Sequence, residues 1–226
     1  MTVADHRSPT AVRAWFGDVH RRGVVGHNRF ALTFDDGPFD GATDAVLDIL
    51  KAEDAPATFF VIGEYAARWP GTVRRMHEEG HLVANHTWSH WRFGMLCSQR
   101  YWREEIRRTD EIIQEIIGRR PLMFRPPMGI RTPMNVQALR ATGHACVMWT
   151  GRGRDGVNTT KQRILDRLIE PAADGDVILL HDGRDSASRR DPQPTIDALP
   201  ELIAAYRNKG LQPAPLDQLL ELPAYE

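Results

Sequence analysis

Cysteine is scarce in this chain: its 226 residues hold two, Cys97 and Cys146, far apart and in no CxxC pair. That argues against a zinc ribbon and against a disulfide framework. Long apolar runs are missing as well. No uninterrupted stretch approaches the ~20 apolar residues of a membrane-spanning helix, so no transmembrane segment is expected. The opening residues, MTVADHRSPT, carry an early acid and no apolar core, so no signal peptide is read there and a cytoplasmic location is expected. Neither charge sign is in excess: 29 Lys and Arg face 30 Asp and Glu, a net charge of −1 with histidines neutral. Without a basic surplus there is no electrostatic case for nucleic acid or an anionic membrane. Internal repeats, low-complexity tracts and GxGxxG turns are also absent, and no feature fixes an oligomeric state.

What is present reads as one globular domain, 42% hydrophobic and 26% charged. Short apolar runs at 30–34, 57–62, 81–85, 122–125, 146–150, 177–181 and, more weakly, 211–213 predict strands. Amphipathic segments at 43–53, 70–79, 98–117, 132–141, 159–169 and 195–208 predict the helices between them. Thr132 before Pro133 and Gly143 behind it bracket one helix; Gly118 closes another. Strands that alternate with helices imply a parallel sheet, because each parallel crossover needs a helix. About seven such units favour a distorted (β/α) barrel over an open doubly wound sheet. That barrel is expected over 29–226. Ahead of it, in an extension over 1–28, Val12, Trp15, Phe16 and Val19 make one helical stripe, expected to pack on the barrel.

Polar clusters then fall just beyond five of the expected strands: Asp35-Asp36, Asn85-His86, Arg125-Pro126, Thr150-Gly151 and His181-Asp182. In α/β barrels that rim carries the active site. TFDDGP places two acids side by side, where like charges repel unless a cation or a proton is shared. HTWSH sets His86 and His90 one turn apart. Two imidazoles and one carboxylate are a common catalytic zinc set with a position left open for water, so one of the two aspartates is expected to complete it. In FRPPMG, a strand-end Arg125 precedes a proline-stiffened loop, suited to orienting a carboxylate and aiming backbone N–H groups at an oxyanion. VILLHD ends in His181, a candidate general acid. HEEGH, 77–81, fits the zinc-protease pattern HExxH. Gly80 reads as a helix end and His81 as a strand start, so His77 and His81 are expected at the surface or a strand edge.

Taken together, TFDDGP, NHTWSH, FRPPMG, WTGRGRD and ILLHD resemble, in order and spacing, the motifs of the polysaccharide deacetylase family. This is the NodB-homology group, carbohydrate esterase family 4. The resemblance spans about 29–216. It implies a distorted (β/α) barrel and metal-dependent removal of acetyl groups, usually from N-acetylglucosamine units. It makes Asp35 the base, Asp36, His86 and His90 the metal ligands, and His181 the acid. Arg125 orients the base, Asp155 partners His181, Met128 offers its N–H to the oxyanion, and Leu179 meets the acetyl methyl. The expected cofactor is a divalent metal, zinc foremost, with cobalt, manganese or nickel as alternatives. The expected partner is an acetylated amino sugar. The same machinery cleaves O-acetyl esters, so an O-acetyl carbohydrate esterase is the alternative; a zinc peptidase and a non-catalytic sugar-binding relative are remote ones. Met128 and Gly156 stand where the family often has aromatic rings. That loss of stacking surface implies a short or lipid-linked glycan over insoluble polymer, with Trp88 and Trp91 as rings able to compensate.

Overall fold

A computed structural model describes residues 19–184 and 190–226. Among these described residues, nine strands form one sheet: β1 (Val19–His20), β2 (Arg29–Asp35), β3 (Ala57–Val61), β4 (Leu82–Asn85), β5 (Met123–Phe124), β6 (Ala145–Val147), β7 (Gly151–Arg152), β8 (Asp176–His181) and β9 (Gln212–Pro213). Their order is β1-β6-β5-β4-β3-β2-β8-β7, with β9 beside the start of β2. The pairings are parallel, as in β2 with β3 and β8. Among the described residues no pairing joins β1 to β7, so the curled sheet is a barrel left open on one side. It is the distorted (β/α) barrel that the alternation of strands and helices implied.

Among the described residues, eight helices cover it: α1 (Ala42–Ala52), α2 (Gly63–Arg68), α3 (Pro70–Glu78), α4 (Gln99–Ile117), α5 (Pro133–Thr142), α6 (Lys161–Leu168), α7 (Gln193–Asn208) and α8 (Leu216–Leu220). None is long and apolar enough to cross a membrane. The caps read from sequence are formed: Thr132 and Asn135 make a reciprocal capping box on α5, and Gly118 and Gly143 close α4 and α5 in left-handed conformations.

The two faces of β2 explain where the site sits. Phe30, Leu32 and Phe34 belong to the outer core, packed with Leu47, Phe59 and Leu202. Ala31 belongs instead to an inner cluster with Phe60, Ala84 and Val177, and Leu216, Leu219 and Leu220 of α8 fill that cluster. Side chains alternate along a strand, so Thr33 and Asp35 share Ala31's inward face. Helix α8 thus occupies one end of the barrel, and the other end is left to polar side chains.

Four elements were not read from sequence: β1, β7, α2 and α8. Of the expected N-terminal helical stripe, Val12, Trp15 and Phe16 lie outside the described residues, and Val19 stands in β1. His77 and His81 do not share a helix, since α3 ends at Glu78, Gly80 adopts a φ of +86° and His81 stands just before β4. His81 takes the strand-edge place of the two expected, directly before β4, and it is buried rather than at the surface. Its Nδ1 accepts from the Ala57 N–H at 3.2 Å, and burial pulls its imidazole down to about 4. It is a neutral structural histidine, not a metal ligand.

Candidate active site

Asp35 ends β2 in extended backbone and Asp36 turns away from it, with a φ of +72°. Adjacent acids therefore point to different partners. Asp35 Oδ1 accepts from Arg125 Nη1 at 2.6 Å. The Arg125 guanidinium is fully buried, which is tolerable only because every side of it is occupied. Nη1 also donates to Thr33 Oγ1 at 2.9 Å, Nε to the Val147 carbonyl at 3.1 Å and Nη2 to the Met148 carbonyl at 3.2 Å. Phe60 lies beneath it, 4.0 Å from Cζ to the ring centre. A cation fixed by three strands thus holds the Asp35 side chain in place.

Asp36 faces the two histidines. His86 Nδ1 lies 2.7 Å from the Arg125 carbonyl, a contact to which Nδ1 must donate, and this turns Nε2 toward Asp36. His86 Nε2 is 3.4 Å and His90 Nε2 is 3.3 Å from Asp36 Oδ1. The three donor atoms lie within 4.8 Å of one another and all three residues are buried. Asp36 Oδ1 is itself buried without a hydrogen bond. A carboxylate oxygen shut away from water and facing two imidazoles fits a bound cation and little else. Burial pushes the Asp36 carboxyl up, but His90 and His86 outweigh it and hold it well below the ordinary range. The repulsion in the Asp-Asp pair is thus relieved twice, by Arg125 on one acid and by a cation site on the other.

Two glycines make this turn possible. A Cβ on Gly37 would lie 2.1 Å from Asp182 Oδ2, and one on Gly183 would lie 2.0 Å from the Asp36 carbonyl oxygen. TFDDGP and HDG therefore interlock backbone to backbone. Asp182 Oδ2 also accepts from Thr43 Oγ1 at 2.6 Å; burial pushes its carboxyl up to about 7.

The loop carrying His86 and His90 is no helix: Thr87 and His90 have φ of +71° and +48°. It is held from behind by α4. Asn85 donates to Asp110 Oδ1 at 2.7 Å and to the Ile106 carbonyl at 2.9 Å, and it accepts from the Thr87 N–H at 2.8 Å. Glu105 Oε2 accepts from both the N–H and the hydroxyl of Ser89, each at 2.9 Å. Neither acid was anticipated. Both lie on the buried face of α4 with Trp102, Ile106, Thr109 and Ile113, and acids inside an apolar stripe were the signal that could have found them.

His181 ends β8. Its Nδ1 is 2.9 Å from Asp155 Oδ1, and its N–H donates to Asp155 Oδ2, also at 2.9 Å. Thr195 and Arg190 hold Asp155 in turn, through its Oδ2 at 2.7 Å and its carbonyl at 3.1 Å. Burial pulls the imidazole down, but the Asp155 carboxylate and its hydrogen bond outweigh that and push it up to about 9. With Nδ1 engaged, Nε2 is the atom left to serve the pocket.

Asp35, Asp36, His86, His90 and His181 line one pocket of about 430 Å³, together with Met128 and Leu179. Met128 has a φ of +58° and an exposed side chain. Arg125 and Asp155 stand behind the residues they hold. Of eight non-glycine residues with positive φ among those described, five are Asp36, Thr87, His90, Met128 and Arg154. Backbone strain gathered at one rim is a mark of a functional site. Trp88 needs correction: it does not line the pocket. Its ring packs beside Gly63 and lies under Arg108, with Cζ 4.0 Å from the ring centre. Trp149, Arg92, Arg152 and Arg154, which the sequence reading passed over, line the pocket instead.

Comparison with known proteins agrees with this geometry. Residues 22–147 match the family model for polysaccharide deacetylase. The chain is 36% identical over 216 residues to a chitooligosaccharide deacetylase of Bradyrhizobium sp. (strain ANU 289), across 92% of this chain and 96% of that protein. The crystal structure of the Bc1960 peptidoglycan N-acetylglucosamine deacetylase superposes with a TM-score of 0.87 at 28% identity, over 97% of this chain and 100% of the other. A family 4 carbohydrate esterase from Streptomyces lividans, in complex with acetate, gives 0.75 at 31% identity, over 83% and 92%. Barrel, rim motifs and relatives lead to one assignment: the chain belongs to the polysaccharide deacetylase family, the NodB-homology group of carbohydrate esterase family 4.

Proposed function

We propose that this protein removes the acetyl group from N-acetylglucosamine-type sugars by metal-dependent hydrolysis, releasing acetate and a free amine. The observation that carries the reading is the meeting, in one pocket, of a buried Asp-His-His donor set with an acid held by Arg125 and an imidazole held by Asp155. Asp36, His86 and His90 would hold a divalent cation. Two nitrogens and one oxygen suit zinc, ahead of cobalt, manganese or nickel. When bound, such an ion polarises the acetamide carbonyl and acidifies water.

The chain's own residues do the rest. Asp35, oriented by Arg125, takes the proton of the attacking water. The Met128 N–H donates to the oxygen on which charge develops, and Leu179 meets the acetyl methyl. His181, protonated and braced by Asp155, then gives a proton to the departing amine through Nε2. An amine leaves poorly without that proton, so the acid at the pocket wall favours amide over ester as the bond cleaved.

Acetate release from N-acetylglucosamine oligomers, peptidoglycan fragments and acetylated xylan, with and without chelator, tests the proposal. Chelator-sensitive release from the amide substrates is expected. Release confined to acetylated xylan would make the protein an O-acetyl esterase, and no release from any would overturn the reading.

A further inference from the structure

Arg92, Arg152 and Arg154 line the pocket, and the reaction above gives none of them a task. The acids in the lining are Asp35 and Asp36, and both are committed, to Arg125 and to the two histidines. No ion pair joins Arg152 or Arg154 to an acid among the described residues. The composition does not account for this. Acids and bases are nearly equal in number over the whole chain, yet among the described residues the exposed charged side chains lining this pocket, His181 aside, are arginines.

The two arginines also stand on a fixed support. Arg152 lies in β7, in register with Leu179. The Gly153 N–H donates to the Leu179 carbonyl at 3.1 Å, and the Gly153 carbonyl accepts from Arg167 Nη1 at 2.8 Å. On the other side Asp155 is tied to His181 and Thr195. Between these anchors Arg154 is held at a φ of +53°, a conformation a side-chain-bearing residue keeps only under constraint. Just beyond, Gly156 leaves room: a Cβ there would already be 3.2 Å from the His181 ring.

A neutral acetamido sugar offers these guanidinium groups only uncharged hydroxyl and carbonyl acceptors, which make weaker contacts than an anion. Carboxylate and phosphate bind better, since the guanidinium fork matches their oxygens pairwise. Rigid backbone beneath the side chains lowers the ordering cost of such a contact. We propose that the pocket selects acetamido sugars bearing an oxyanion, a carboxylate or a phosphate, held by Arg152 and Arg154. This rests on the deacetylase reading and narrows its substrate.

The test compares the zinc-loaded enzyme on three disaccharides: neutral N,N′-diacetylchitobiose, its 1-phosphate, and its 3-O-lactyl acid. At low ionic strength kcat/KM for one anionic sugar should exceed that for the neutral sugar by about tenfold or more. The ratio should fall toward one in about 0.5 M salt, where screening is short-ranged, and in the Arg152→Gln, Arg154→Gln double variant. Preference for the phosphate or for the lactyl acid identifies the source of the oxyanion. A wild-type ratio near one, or a ratio that survives both the salt and the double variant, overturns the proposal. In either case, acetate release from neutral chitobiose leaves the deacetylase reading standing. No release from any of the three overturns both.

Discussion

Asp35 and Asp36 are neighbours in sequence with different partners, and single substitutions should separate the roles proposed for them. Asp36→Asn, His86→Ala and His90→Ala each remove a donor from the buried set, so each should lower the metal content of purified protein. Asp35→Asn removes no member of that set and should keep the metal while losing turnover. A metal-free Asp35→Asn protein would exchange the two roles. His181 gives a second test at this scale. Its proton is held up to about 9, above the ordinary 6.5, against burial and chiefly by Asp155. The acid form is therefore present below that value and lost as pH rises through it. Asp155→Asn takes away the main raising influence, so the alkaline fall in kcat/KM should move to lower pH. A fall at unchanged pH would mean that another group sets it.

At the scale of elements, legibility depended on how local the signal was. The run Phe30–Phe34 and the caps at Thr132, Gly118 and Gly143 carry their structure in neighbouring residues, and the fold follows them. So do the motifs at the strand ends, because a parallel barrel brings every such end to one rim. Two-residue strands such as β1 and β7 have no period to read; their partners decide them. The grip of α4 on the metal-donor loop is a further non-local feature. Ser89 meets Glu105 sixteen positions on, and Asn85 meets Asp110 twenty-five positions on. Glu105→Ala would release both Ser89 donors and loosen the loop, lowering zinc affinity by about tenfold, in the range for groups that orient ligands. Glu105→Gln keeps an acceptor and should retain most of that affinity. Competition with a chromophoric chelator measures both. An alanine variant with lower thermal stability but wild-type zinc affinity would confine Glu105 to packing.

The whole molecule separates stability from chemistry by placing them at opposite ends of one barrel. At the end away from the rim, Leu216, Leu219 and Leu220 of α8 are buried among Ala31, Phe60, Val147 and Val177. Leu219 also meets the chain entering the sheet: a Cβ on Gly23 would lie 2.3 Å from its Cγ, and its carbonyl accepts from the Val24 N–H at 2.9 Å. The segment after α8 is stitched to the same end, where the Tyr225 hydroxyl accepts from the Val83 N–H at 2.8 Å. At the rim the interior is polar instead, filled by Arg125, Thr33 and Asp35 and their mutual hydrogen bonds. Leu219→Ala would cut an apolar side chain from a site closed by strands on its sides, so the cavity has little freedom to collapse. The cost should be about 2–5 kcal/mol, a fall in Tm of roughly 5–15 °C for a chain of this length. The variant shares no contact with the metal donors or with His181, and effects at separated sites are close to independent. Zinc affinity and kcat/KM measured well below the new Tm should therefore stay near wild type. A matching loss of zinc affinity at that temperature would show that the apolar end and the rim are coupled, and that the barrel does not divide its labour in this way.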